Sequence, residues 1–190
     1  MRVSDNAKVP SGANGSVLRL VLTFLLILGG LNLAYYLEKK LALGLVDDPY
    51  TQLVTLASGA VSSLVLPYPI ETIGKVIIAD GNVSLFSASG CTGLEAIFLI
   101  IAGIFAYPAT WSQRWRGLAR YAPLLYLLNL VRVVSLVHVA HSYPEYMDVS
   151  HFQIAQGVLI VFVLFFWVHF MQGVAKTTED RAVEAAGLEQ

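Results

Sequence analysis

With one cysteine in 190 residues the chain has no partner for an internal disulfide, and no cysteine pair or cysteine–histidine spacing outlines a structural zinc site. Charge is equally scarce. Only 13% of residues are Asp, Glu, Lys or Arg and the net charge is -1, a balance that argues for neither nucleic acid nor another anionic partner. Internal repeats and low-complexity runs are also missing. What fills the chain is apolar: 56% of residues are hydrophobic and the mean hydropathy is +0.66, too much for a water-soluble domain of this size. The chain therefore reads as an integral membrane protein, and Cys91 as either a small packing residue or a working thiol.

Four segments, 17–37, 91–107, 121–141 and 151–171, are apolar over about the length an α-helix needs to cross a bilayer. The first is longer than the apolar part of a secretory signal and has no clear small-residue cleavage site, so it reads as a retained anchor. A fifth stretch, Tyr50 to Tyr68, is apolar but rich in Ser, Thr, Gly and Ala, and fits a span, a re-entrant helix or an interfacial one. The fold class is thus an all-α polytopic membrane protein with four or five transmembrane helices. Residues 1–16 form a flexible lead, 17–172 the integral membrane domain, and 173–190 a polar cytoplasmic tail. Arg114, Arg116 and Arg120 crowd the loop before the 121–141 segment, which assigns that loop to the cytoplasm. The starts of the 91 and 151 helices and the end of the 121–141 helix then lie at the extracytoplasmic face. Tyr107, Trp111 and Trp115, and His169 beside Trp167, suit the opposite interface. Between Pro67 and Gly90, Lys75-Val-Ile-Ile-Ala79 and Val83-Ser-Leu-Phe86 flank Asp80-Gly81-Asn82, the signal of a small extracytoplasmic β-hairpin before the cysteine helix.

Arg132 lies inside the apolar 121–141 segment, where a permanent charge costs roughly 3 kcal/mol on insertion scales and needs a partner inside the bundle or in water. Ser87-Ala-Ser-Gly-Cys-Thr-Gly-Leu-Glu95 reads as a loop turning into a helix with Cys91 in its first turn, where unpaired N–H groups favour the nucleophilic thiolate. Counting up from the cytoplasmic ends puts Cys91 about 24 Å, Arg132 about 17 Å and His151 about 30 Å high, close enough for the three to meet in the outer leaflet. Attack of a thiolate on an amide carbonyl leaves a negative oxygen, which a fixed guanidinium stabilises; that role falls to Arg132. His151, at the aqueous mouth of its helix, has the chemistry of a general acid and base, although an ordinary interfacial histidine fits the same position. Glu95, one turn below Cys91, is expected to pair with Arg132 inside the membrane. Asn129, three residues before Arg132, is expected to orient the guanidinium or to bond to another helix. His138 and His141 read as residues of the helix end.

Cys91-Thr-Gly-Leu-Glu-Ala96, Asn129-Leu-Val-Arg-Val-Val-Ser135 and His151 within Ser-His-Phe-Gln-Ile-Ala-Gln resemble, in that order, the cysteine box, the arginine box and the last polar position of the exosortase/archaeosortase family of membrane cysteine transpeptidases. The Gly-Leu-Glu-Ala continuation and the short chain are most similar to the variant called exosortase H. The resemblance covers about residues 50–170. It implies a protease or transpeptidase of the bacterial inner membrane, multi-pass, with its active site facing the periplasm. The substrates implied are exported proteins whose C-terminal tail carries a short motif, of Ile-Pro-Thr-Leu type, then a transmembrane helix and a basic cluster. Such a tail is cut through a Cys91 thioester and passed to an acceptor, with no cofactor. Two rivals stand beside this reading: a haem-binding membrane subunit with His138 or His141 and His151 as axial ligands, and a non-enzymatic subunit in which Glu95 and Arg132 merely pair.

Overall fold

Length separates the helices that can cross a bilayer from those that cannot. The structure, a computed structural model, describes residues 12–81, 83–86, 92–147, 150 and 154–187. In chain order these form α1 (Gly12–Lys40), α2 (Asp47–Val65), β1 (Ile70–Ile73), β2 (Val76–Ala79), β3 (Val83–Phe86), α3 (Leu94–Ala106), α4 (Trp111–Ser142), a 3-10 turn (Pro144–Tyr146) and α5 (Ala155–Gly187). Among them α1, α4 and α5 are long and apolar enough to span. With 13 residues, α3 is apolar but shorter, about 20 Å at 1.5 Å per residue.

The direction of each helix follows from who touches whom. Tyr35 of α1 packs its ring on Phe98, and Phe24 stacks on Trp167, whose indole donates to the Gly103 carbonyl at 2.9 Å, so α1 runs antiparallel to α3. Gly117 of α4 lies against Ile104 and Phe170, whereas Asn129 reaches Thr92, so α4 is antiparallel to α3 as well. Tyr121 stacks on Phe166 at 5.4 Å and brings α5 antiparallel to α4. Ile100, Ile104, Tyr121, Leu125, Val163, Phe166 and Phe170 form the core of this four-helix bundle. Outside it, Leu22, Leu25, Leu26 and Leu33 of α1 are exposed, as a lipid-facing anchor requires.

Because the C-terminal end of α1 already meets the N-terminal end of α3, α2 lies beside the four-helix bundle rather than within it. Instead α2 and a three-stranded sheet lean on the C-terminal half of α4, with Val54, Ile77, Ala79, Val133 and Val137 as their shared core. The buried Glu38 carboxylate accepts hydrogen bonds from the Val46 and Asp47 amides at 2.6 and 3.0 Å, and so holds α2 to the end of α1. Thr51, Thr55, Ser58 and Ser62 present a buried small face of α2 to its neighbours, and a β-carbon at Gly59 would collide with Thr72. Burial, with a lesser push from Tyr126, raises the Tyr50 phenol to about 12, so it stays neutral at the start of this layer.

Two sequence expectations change. The hairpin around Asp80-Gly81 is present as β2 and β3, but β1 extends it to a sheet of order β1-β2-β3, both pairings antiparallel. Ile73 pairs with Val76 across Gly74 and Lys75, and Gly74 at φ 60° takes the turn conformation that a side chain disfavours. The Arg-rich stretch before residue 121 is helix rather than loop: Thr110 and Gln113 form a reciprocal cap that starts α4 at Trp111, leaving only Tyr107 to Thr110 as the connection.

The Gly103–Trp167 contact yields a packing prediction. A β-carbon at Gly103 would stand 2.9 Å from the indole, so Gly103→Leu should cost about 1–3 kcal/mol and lower the melting temperature of the detergent-solubilised protein. Gly30→Leu, where nothing lies within 4 Å, should leave it unchanged.

Candidate active site

Asn129 is 1% exposed in the middle of α4, and its Nδ2 donates to the backbone carbonyl of Thr92 at 2.8 Å. Thr92 is itself fully buried. The chain then turns into α3 through Gly93, the residue capping its N-terminus, at φ 74°. A β-carbon on Gly93 would sit 2.7 Å from Asn129 Cγ, so both the backbone conformation and the close approach of α4 require glycine here. The result is a clamp: one buried amide side chain fixes the two residues through which the chain reaches α3. Asn129 Oδ1 is buried and has no hydrogen-bond partner among the described residues.

Arg132 lies one turn further along α4 and is 7% exposed. It lines a cavity of about 390 Å³ between α4 and α5, whose wall is otherwise apolar apart from Ser135 and Ser150. Cys91 and His151, the other two expected members of the site, lie outside the described residues. One covalent neighbour of each does not: Thr92 is held by Asn129, and Ser150 lines the Arg132 cavity.

The expected Glu95–Arg132 ion pair is not formed. The ion pairs among the described residues are Lys75–Asp48 and His141–Asp80, and Glu95 is exposed while Arg132 is buried. Register explains it. Asn129 is level with Thr92 and the two helices are antiparallel, so Arg132 lies about 4.5 Å to one side of that level and Glu95 about the same distance to the other. Counting depth from Tyr121 had set Arg132 too low, because α4 begins at Trp111. Glu95 instead stands in the first turn of α3, where a carboxylate complements the helix dipole. The helix expected to begin at Cys91 begins at Leu94.

At the C-terminal end of α4, Tyr68 stacks on His141 with ring centroids 3.9 Å apart, and its hydroxyl is 3.3 Å from His138 Nδ1. His141 Nε2 is also 3.8 Å from Asp80 of the β2–β3 turn. The two histidines thus fasten the sheet to α4, as residues of the helix end. Tyr68, Gly93 and the Thr92 carbonyl escaped the sequence reading; of these only Gly93 carried a signal, a glycine ahead of an apolar helix. Among the described residues no three His, Cys, Asp or Glu side chains gather as metal ligands.

No curated protein and no solved structure matches the chain. The family model for transmembrane exosortase (Exosortase_EpsH) matches residues 12–171, a stretch that takes in Asn129, Arg132 and all the transmembrane helices through Met171. Since this match covers well over half of its length, the chain belongs to the transmembrane exosortase family.

Proposed function

We propose that this protein is a membrane-embedded cysteine transpeptidase or protease that cuts the C-terminal tail of exported proteins at the extracytoplasmic face. The observation that carries the reading is the buried pair Asn129 and Arg132 on α4, one side chain gripping the carbonyl that follows Cys91 and the other a fixed charge one turn away. A buried guanidinium is expensive to keep among apolar helices, and stabilising an oxyanion is a use that matches its chemistry.

In the proposed course the Cys91 thiolate adds to the scissile carbonyl, and the negative charge on oxygen is met by Arg132. Collapse of this adduct breaks the C–N bond, the leaving amine takes a proton from His151, and the acyl group remains on sulfur as a thioester. An acceptor nucleophile, or water, gives a proton to His151, attacks the thioester and regenerates the thiolate. Gly93 caps α3 and Cys91 precedes it by two residues in sequence, so stabilisation of the thiolate in this reading is assigned to the Arg132 charge rather than to the helix dipole, which fades within the first turn. Asn129 serves as a positioning residue acting through Thr92. Family membership supports protein substrates with C-terminal sorting signals; the motif of Ile-Pro-Thr-Leu type, the bacterial inner membrane and a periplasmic site belong to this proposal. So does the sidedness, for which Arg114, Arg116, Arg120 and Lys176 gather at one end of the bundle and Lys39, Lys40 and Lys75 at the other.

Co-expression with a protein bearing a motif–helix–basic tail tests the reading. Cys91→Ala and Arg132→Ala should each abolish processing, and Arg132→Lys should leave only a small fraction, since an ammonium lacks the planar fork. Unchanged processing in Cys91→Ala or Arg132→Ala would overturn the mechanism. Asn129→Ala and Asn129→Asp both remove the donor to Thr92 and should slow processing by roughly 100-fold, with membrane insertion intact. Partial recovery in Asn129→Gln, which keeps an N–H donor, separates positioning from a loss of folding.

A further inference from the structure

At the end of the bundle opposite the sheet, α4 and α5 flank a second, open cavity of about 260 Å³, lined by the exposed Arg116 and Arg120 with Gly117, His169, Gly173 and Thr177 among others. Arg116 and Arg120 stand one helical turn apart, a like-charge spacing that weakens a helix when nothing neutralises it. Neither forms an ion pair among the described residues: Arg116 Nε bonds the Ser112 carbonyl at 3.3 Å of its own helix, and the Arg120 guanidinium lies 5.9 Å from the Tyr121 ring. Glu179 and Asp180, beyond Thr177 on α5, pair with neither. Arg114, by contrast, is committed to the Tyr107 carbonyl at 3.3 Å and to the face of Phe105.

Gly173, on the exposed side of α5, lines the same cavity across from the two arginines. A β-carbon at Gly173 would meet nothing within 4 Å, so a larger side chain there would project into the cavity without displacing the helix. The cavity thus offers space beside two arginines that have no acid partner among the described residues.

We propose that this cavity is a binding site for the phosphate headgroup of an anionic phospholipid, with Arg116 and Arg120 sharing the phosphate charge. A lipid is favoured over a soluble anion because the buried Tyr121, Phe170 and Val174 give the cavity an apolar floor, and because, on the sidedness proposed above, the Arg-rich end of the bundle meets the leaflet richer in anionic lipid. The site is independent of the cysteine chemistry.

Native mass spectrometry of the full-length protein in detergent, titrated with phosphatidylglycerol, phosphatidylcholine or inorganic phosphate, tests it. The wild type should retain one phosphatidylglycerol in preference to phosphatidylcholine, and millimolar phosphate should not displace it. Arg116→Gln/Arg120→Gln should weaken retention by about tenfold. Gly173→Leu, which fills the space while keeping every charge, should weaken it as much. Equal retention of the two lipids, full preference persisting in Gly173→Leu, or displacement of the lipid by phosphate would each overturn the proposal.

Discussion

One hydrogen bond, from the Asn129 amide to the Thr92 carbonyl, fixes the register of the whole upper half of the molecule. It joins the longest apolar helix but one to the short helix that follows the cysteine, at the level where α1 ends and the sheet begins. Buried among apolar side chains, such a bond has no water to replace it, so losing the donor leaves an orphaned carbonyl at a cost of about 1–3 kcal/mol. Gly93 makes the approach possible, and Arg132 is carried to its place by the same turn of α4. Site geometry and helix packing are therefore one constraint here. A change that loosens the contact moves the charge, Thr92 and the α3 start together.

Much of this was legible in the residues, and the failures have physical causes. Arg132 and Asn129 stood out because polar groups in an apolar run are costly, which is a local property that needs no fold to be read. The Asp80-Gly81 turn was legible for the same reason, since a positive φ at both residues, 53° and 67°, is a demand on the chain itself. The start of α4 was not, because three arginines in seven residues look like a loop boundary, and the Thr110–Gln113 cap that extends the helix through them is a quieter signal. That displacement propagated. Depths counted from Tyr121 lowered Arg132 and manufactured a partner for it in Glu95, a pairing that antiparallel register forbids. Register between helices depends on side-chain volumes such as those at Gly103 and Gly117, and a single chain read alone does not reveal which glycine meets which aromatic ring.

Outside the bundle, α2 and the sheet show how a membrane protein builds a layer that is neither lipid-facing nor freely solvated. The buried Thr and Ser face of α2 lets backbone approach backbone, the Glu38 carboxylate substitutes for an N-cap, and Tyr68 stacks onto the end of α4. Lys75 in the β1–β2 turn pairs with Asp48 at the start of α2, so the turn is tied down at its tip as well as its base. The segment leading from β3 towards Thr92 therefore starts from a layer anchored at several points.

Pro123 lies within α4 between the arginine-lined cavity and the Asn129–Arg132 turn. Lacking an amide hydrogen, it leaves the carbonyl one turn back without its usual partner, and the helix is a weaker strut there than elsewhere. Two working ends on one rod would ordinarily transmit every strain to each other. A soft point between them lets the arginine-rich end of α4 adjust to its surroundings while the end that carries Asn129 and Arg132 keeps its shape.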